Sequence, residues 1–382
     1  MVTQPINLGL GLYVHLPWCV RKCPYCDFNS HQKPAVLPEA AYVQALCRDL
    51  RQEAQRYIGA APITSVFFGG GTPSLFSAAA LAEILHVARE CFAFAVDVEV
   101  TLEANPGAVE HDEFSAYREA GINRISLGVQ SLDDSRLHKL GRVHSSADVY
   151  QAVDAMRASG FDNYNIDIMH GLPDQSLQGA LADLQQACDL SPTHLSWYQL
   201  TIEPNTQFAL KPPILPQEET LVDIESQGKR LLKQANYQQY EVSAYSLNHA
   251  YPCRHNLQYW QFGDYIGVGA GAHGKCTQPE TGQIVRYWKQ RHPKTYLAAA
   301  SVLGGERELS AEELPLEFML NACRLTQGFP LALFEMTTHL DRSVVTPALA
   351  KAQQQNLVVL DNGHVHLTAQ GQKFLNTLLL LF

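Results

Sequence analysis

Basic residues are scarce in this 382-residue chain: 28 lysines and arginines stand against 38 aspartates and glutamates, a formal net charge of −10. A protein that grips nucleic acid by its phosphates needs a basic face, and one held to anionic lipid needs a polybasic run. Neither is present, so no nucleic acid is expected as a partner. No apolar stretch approaches the roughly 18–20 residues that cross a bilayer, and the tail Leu378 to Phe382 is only five residues long. No transmembrane segment is expected. The N-terminal run MVTQPINLGLGLYVHLPWC lacks a basic start and a cleavable apolar core, so no signal peptide is expected and a cytoplasmic address follows. Nine cysteines are odd in number and too few for a disulfide scaffold. Internal repeats and low-complexity segments are missing. What is there, 46% hydrophobic and 17% charged residues, is the composition of a well-packed globular protein, with room for two domains or one large barrel and an appendage.

Six of the cysteines are scattered. Among them, Cys47 and Cys91 fall on apolar helical stripes, where a thiol is a small buried hydrophobe. Cys19, Cys23 and Cys26 are instead crowded into C-x3-C-x2-C. In a reducing compartment such a group favours a metal over disulfides. Zinc would want a fourth ligand, for which Asp27 and His31 are near in sequence. A cubane iron–sulfur cluster suits three thiolates on one loop, leaving its fourth iron to an exchangeable ligand.

From residue 8 to about 245, short β-rich runs alternate with amphipathic stretches. The strand candidates are Leu10–His15, Ser65–Phe68, Val98–Glu103, Arg124–Val129, Asn163–Met169 and His194–Thr201. Between the first two, Val43, Leu46, Cys47, Leu50, Ala54, Tyr57 and Ile58 keep helical spacing; a second stripe is Leu81, Ile84, Leu85 and Ala88. Six β–α alternations imply parallel strands and crossover helices. Polar or glycine-rich motifs at nearly every strand's C-terminal end favour a barrel mouth over a doubly wound sheet. The expected fold is α/β, a partial (β/α)6 TIM-like barrel open on one side, over residues 1–245. Residues 246–300 read as an aromatic and glycine-rich connecting segment, in which GDYIGVGAGAHG has too many glycines for a strand core and predicts backbone close to a ligand. Residues 301–382 read as a small helical, winged-helix-like domain, with a hairpin turning at Asp361–Gly363 and a last helix capped at Thr368. Its five Lys/Arg against eight Asp/Glu suit a packing or lid domain, not a DNA-binding wing.

The segment YVHLPWCVRKCPYCDF resembles the radical S-adenosylmethionine superfamily and, within it, the anaerobic coproporphyrinogen-III oxidase family and its heme chaperone subfamily. The likeness extends over most of the chain, closely in the barrel and more loosely in the C-terminal module. It implies a 4Fe–4S cluster on Cys19, Cys23 and Cys26. S-adenosylmethionine would chelate the unique iron, and its one-electron reduction would release an adenosyl radical, chemistry that belongs to the cofactor. FFGGGTPS, Phe67–Ser74, follows the second strand without the G-K-[ST] of a phosphate loop. The resemblance implies that Gly70 meets the methionine moiety and that Tyr13 and Glu103 belong to the same site. Gln130, Arg142 and Asp167, with Tyr25, Gly71 and Thr72, match positions that contact a second S-adenosylmethionine in the dehydrogenase branch.

One departure separates the two subfamilies. The dehydrogenases carry a further cysteine two positions after the motif, where this chain reads Cys26-Asp27-Phe28. Phenylalanine supplies no thiol, which disfavours oxygen-independent coproporphyrinogen III oxidation, the alternative activity, and favours the chaperone. HNLQYW, residues 255–260, resembles the heme chaperones' H-N-x-x-Y-W motif. It implies heme binding by His255, Asn256, Tyr259 and Trp260, an imidazole for the iron and flat rings for the porphyrin. Cys253 and His273 are further candidates nearby. A heme-acceptor apoprotein is the implied partner, a respiratory enzyme being one possibility.

Overall fold

The structure is a computed structural model that describes residues 8–107 and 113–382. The first seven residues of the run read for a signal peptide lie outside the described residues. Strand β1 (Leu10–Leu16) shows how the chain is organised: Leu12, Val14 and Leu16 are fully buried against helices, while Gly11, Tyr13 and His15 take the opposite phase. A period of two puts these sets on opposite faces. The same alternation recurs in β2 (Ile63–Gly70), β3 (Phe94–Ala104), β4 (Arg124–Gln130), β5 (Tyr164–His170) and β6 (His194–Gln199). These are the six expected strands, each extended or trimmed by a few residues at its ends.

All six are parallel and lie side by side in chain order. A doubly wound sheet would reverse its order at a switch point; a strictly sequential one winds a single way, as in a barrel. Crossover helices include α1 (Glu39–Glu53), α2 (Ala78–Cys91), α3 (Ser146–Ala158) and α4 (Leu177–Asp189). Ser77, Ser145 and Ser176 cap the last three by accepting a backbone N–H, and Ser145 with Asp148 forms a reciprocal capping box. The apolar stripe of α1 is shorter than its spacing predicted. The helix ends at Glu53, and Ile58, past its end, is exposed.

The ends of the six-strand array do not pair with each other. Beyond β6 come β7 (Tyr237–Glu241) and β8 (Ala244–Leu247), with β8 antiparallel to β6; beyond β1 come β9 (Tyr265–Val268), β10 (His273–Thr277), β11 (Ile284–Lys289) and β12 (Leu303–Glu308). The outcome is one open twelve-stranded sheet with β12 and β7 at its edges.

Residues 246–300 are therefore more than a connector, and the glycine-rich run is a strand after all: β9 is fully buried and pairs in parallel with β1. Its glycines admit neighbouring backbone rather than a ligand. A Cβ on Gly267 would stand 1.9 Å from the carbonyl oxygen of His273, and one on Gly269, where φ is +101°, 2.4 Å from that of His15. The missing side chains permit close strand packing.

The C-terminal module has its own core, in which Phe318 packs edge-on against Phe329 and Phe334 at 5.2 Å each. Its hairpin, Val358–Asp361 and His364–Leu367, turns through Asn362 and Gly363, both at positive φ, and Thr368 caps the following short helix. Phe262, Trp260 and Leu257 tie this core to the barrel.

A buried ion cluster fixes α1 to the extended sheet. Lys289 on β11, 2% exposed, reaches Asp49 at 2.5 Å and Glu53 at 2.6 Å, and Asp49 also accepts from Tyr296. Removing one partner of such a cluster strands the others without water. Lys289→Met is expected to lower unfolding stability by about 3–5 kcal/mol in urea titrations, whereas replacing Lys289, Asp49 and Glu53 together by apolar residues should cost far less.

Candidate functional site

The cysteine motif begins directly after β1. Cys19 closes a two-residue strand paired with His31–Gln32, and Cys23 and Cys26 follow on the loop. The loop is tied down at its far end. Asn29 donates to the carbonyls of Ala270 and Arg291, its own carbonyl meets His15 Nε2 at 3.0 Å, and Lys22 donates to Phe28 and Ser30. All three sulfurs border one cavity of about 540 Å³ at the C-terminal ends of the parallel strands. Among the described residues, no group of three or more His, Cys, Asp or Glu side chains is gathered as ligands of a single metal ion. Asp27 borders the same cavity, whereas His31 does not and lies edge-on to His292.

Burial pushes the Cys19 thiol up to about 11 and raises that of Cys26 too. Ionised sulfur at these positions therefore needs compensating positive charge. Lys22 supplies some of it at Cys26, and at the remaining cysteine Arg142 places Nη1 at 3.7 Å from Cys23 Sγ and Nη2 at 2.5 Å from both Asn105 Oδ1 and the Gly128 carbonyl. Its Nε is buried without a partner. Three soft donors beside a fixed guanidinium fit an iron–sulfur cluster.

The glycine loop closes another wall. Its N–H groups are spent inside the fold: Gly70 donates to Glu103, Gly71 to the Leu16 carbonyl and Thr72 to the Trp18 carbonyl. What the loop can present to a ligand is carbonyl oxygen, which accepts from an ammonium and repels phosphate. Close approach requires glycine here. A Cβ on Gly70, at φ +119°, would stand 2.6 Å from the His15 ring, and one on Gly71 2.5 Å from the Trp18 carbonyl oxygen.

Glu103 and Asp167 share the cavity floor. Burial, then the charge of Asp167, pushes the Glu103 carboxyl up to about 8; burial also raises Asp167, which accepts from Asn165 at 2.7 Å and Ser126 at 3.4 Å. Two carboxylates with no cation of the described residues acting on Glu103 form a receptor for positive charge. Gln130, at φ +73°, accepts from Tyr198 at 2.7 Å, and Tyr25 leans on Phe208. Phe28 borders the cavity with 63% of its surface exposed.

Gly70, Gly71, Thr72, Glu103, Gln130, Arg142, Asp167 and Tyr25 thus meet around one cavity with the three cysteines. Tyr13 does not border it. Its hydroxyl bonds His15 Nδ1 at 3.0 Å and its ring stacks toward Phe67 and His255. Asn105, Ser126, Met169 and Tyr198 border the cavity without having been singled out. Ser126 and Met169 share the strand phase of Gln130 and Asp167 respectively, and Tyr198 is the register partner of Met169; that periodicity was the available signal.

The HNLQYW segment lies elsewhere. It forms α5 (Arg254–Trp260), packed across the N-terminal ends of β1 and β2. His255 is 1% exposed, with Nδ1 at 3.1 Å from Ser65 Oγ and Nε2 at 3.0 Å from the Tyr259 hydroxyl. Both ring nitrogens are engaged, and burial drives the imidazole down to about 3, so it is neutral. Asn256 is half-buried, and Trp260 lies under the Arg324 guanidinium at 4.3 Å. Cys253 is a buried thiol beside Glu99, and His273 is exposed on β10, away from the cysteine cavity.

A soft-donor triad at the mouth of a sequential parallel array defines the class, and the comparisons agree: residues 13–184 match the Radical SAM superfamily and 309–374 the HemN C-terminal domain. Superfamily membership implies a 4Fe–4S cluster and S-adenosylmethionine. The fold is that of the coproporphyrinogen III oxidase HemN of Escherichia coli, a radical SAM enzyme, with TM-score 0.81 at 22% identity over 98% of this chain and 90% of that one. Relatives called heme chaperone HemW are 49% identical in Haemophilus influenzae, covering 98% of this chain and 97% of theirs, and 48% identical in Escherichia coli, covering 98% of both. The chain belongs to the HemW family.

Two measurements follow. A carboxyl raised in the folded state favours folding at low pH, and that contribution is lost as pH rises through the folded value. In cofactor-free protein, Glu103→Gln is expected to exceed the parent in stability at pH 8.5 by about 1–3 kcal/mol, with the gap closing toward pH 5, in urea titrations across that range. Removing the cluster is expected to loosen residues 15–35 and leave the barrel folded; global unfolding seen by hydrogen exchange would contradict this.

Proposed function

We propose that this chain is a heme chaperone: it binds heme, carries a 4Fe–4S cluster and S-adenosylmethionine, and passes heme to an acceptor apoprotein. The observation that carries the reading is near-full-length similarity to HemW relatives, joined to an exposed Phe28 where radical decarboxylation of coproporphyrinogen calls for a thiol.

Cys19, Cys23 and Cys26 would hold the cluster, and Arg142 would offset the thiolate charge at Cys23. When bound, the cluster supplies one-electron reducing power toward the sulfonium of S-adenosylmethionine. Glu103, Asp167 and the carbonyls of the Gly70–Gly71 loop would accept from the cofactor's ammonium and hydroxyls. Thr72, Tyr25, Gln130 and Arg142 complete the wall and are the side chains that would meet a second molecule of the cofactor. Tyr13 acts from behind it, holding the His15 ring that the Gly70 backbone rests on. His255, Asn256, Tyr259 and Trp260 would take heme, with His255 as iron ligand. Because both its nitrogens are engaged, ligation requires α5 to move. The division 1–245, 246–300 and 301–382 assigns the cluster to the first part, the heme motif to the second and a packing role to the third. No helix among the described residues is long and apolar enough to cross a membrane, and we place the chain in the cytoplasm.

Anaerobic reconstitution should give a broad absorbance near roughly 400 nm that dithionite bleaches; Cys19→Ala should abolish it. A colourless protein containing zinc would refute the cluster. Hemin should then give a sharp Soret band that His255→Ala weakens by about tenfold or more in affinity. Prompt conversion of coproporphyrinogen to protoporphyrinogen would establish the oxidase instead.

A further inference from the structure

Two sites at opposite ends of the strands are joined through the barrel interior. The core of such a barrel is ordinarily filled by branched apolar residues. Here the inward phase is polar, and one line of hydrogen bonds crosses it without a break. The Cys253 N–H, at the start of α5, donates to the Tyr240 hydroxyl at 3.2 Å; that hydroxyl meets His194 Nε2 at 2.8 Å; His194 Nδ1 meets Asn165 Oδ1 at 2.7 Å; and Asn165 Nδ2 donates to Asp167 at 2.7 Å. Asn165, His194, Tyr240 and Cys253 are all buried.

The direction of the line is set by its end. Asp167, when ionised, only accepts, so the Asn165 amide must face it and its carbonyl must face His194. His194 then carries its proton on Nδ1, and Nε2 accepts from Tyr240. Every donor points toward the cofactor cavity. Donors aligned in one sense strengthen each other, and the carboxylate terminating them anchors the whole row. At the other end, the row and Glu99, which accepts the Arg254 N–H at 2.9 Å, fix the start of α5, and Ser65, Asp97 and the carbonyls of Gly9 and Asp264 hold its side chains.

We propose that Asn165, His194 and Tyr240 are positioning residues that couple the cofactor cavity to α5, so that a cation against Asp167 slackens the row and frees the helix bearing His255. The coupling rests on the heme reading for its purpose but not for its test. S-adenosylmethionine is the cation: drawn to Asp167, it competes for the oxygen that, together with Ser126 Oγ at 2.8 Å, holds the Asn165 amide. A row relieved at its acceptor loses its hold on the Cys253 N–H, which loosens the start of α5, while Glu99, Asp97, Ser65 and the bonds from the Gln258 amide to the Gly9 and Asp264 carbonyls remain.

The experiment is hydrogen exchange of residues 253–262 in cluster-bearing protein, with and without S-adenosylmethionine, whose binding is followed by calorimetry. The expected result is at least fivefold faster exchange with the cofactor, in the range of ordinary coupling between sites. Tyr240→Phe removes one hydroxyl far from the cavity. It should bind the cofactor as the parent does, exchange quickly throughout, and respond less than twofold. His194→Gln, cutting the row at its middle, should behave alike and serves if Tyr240→Phe is unstable. Bound cofactor with unchanged or slower exchange overturns the coupling, as does a full response in both variants. No calorimetric binding overturns the cofactor assignment and the coupling together. Faster exchange in protein that takes up no hemin supports the coupling and overturns the heme reading alone.

Discussion

Strand alternation is the constraint on which the rest depends. Each of the six parallel strands turns its apolar residues outward, where Leu12, Val66, Val100, Ile125, Ile166 and Leu195 are sealed beneath the helices. Stability thus comes from the sheet–helix layer, at roughly 25 cal/mol for each Å² of apolar surface buried. Because that layer holds the fold together, the inner face is left for carboxylates, amides, imidazoles and a guanidinium. The cavity that takes the cysteines is the upper end of this polar interior, and the buried His255 closes its lower end.

Charge inside such a space has to be arranged in advance. Arg142 lies against Cys23, whereas Glu103 and Asp167 sit together with no cation of the described residues at Glu103. Burial and the Asp167 charge favour the protonated form of Glu103, a proton that a cationic ligand would displace. The loop glycines follow the same logic in geometry: side chains are deleted at Gly70 and Gly71 so that backbone from two strands can crowd the wall.

Much of this was legible in the residues. The six strands, the hairpin at Asn362–Gly363 and the cap at Thr368 all carry local signals, namely β-branched alternation, a left-handed turn pair and a hydroxyl before a helix. The grouping around the cysteines came from the family resemblance, with the polar and glycine-rich motifs at strand ends pointing to the same mouth. Two things were not legible. The strand Tyr265–Val268 was hidden because Gly267 within it and Gly269 just after it answer to backbone contacts with His273 and His15, the latter more than two hundred residues away and invisible to local propensity. The burial of His255 was hidden because a motif gives composition and not direction: nothing in H-N-x-x-Y-W says which face of its short helix looks into the barrel. Tyr13 was grouped with the cavity on resemblance, yet its ring turns toward His255.

The outer strand Leu303–Glu308 ends in Glu306, Arg307 and Glu308, and Glu306 and Arg307 are tied sideways to Arg56 and Glu313. An open sheet of this width offers a bare border to any other extended chain. Mixed charges along it make another molecule's strand a poor match, since docking there would strip water from ions that are already committed. That border works as a fence against fibre growth from this edge of the sheet.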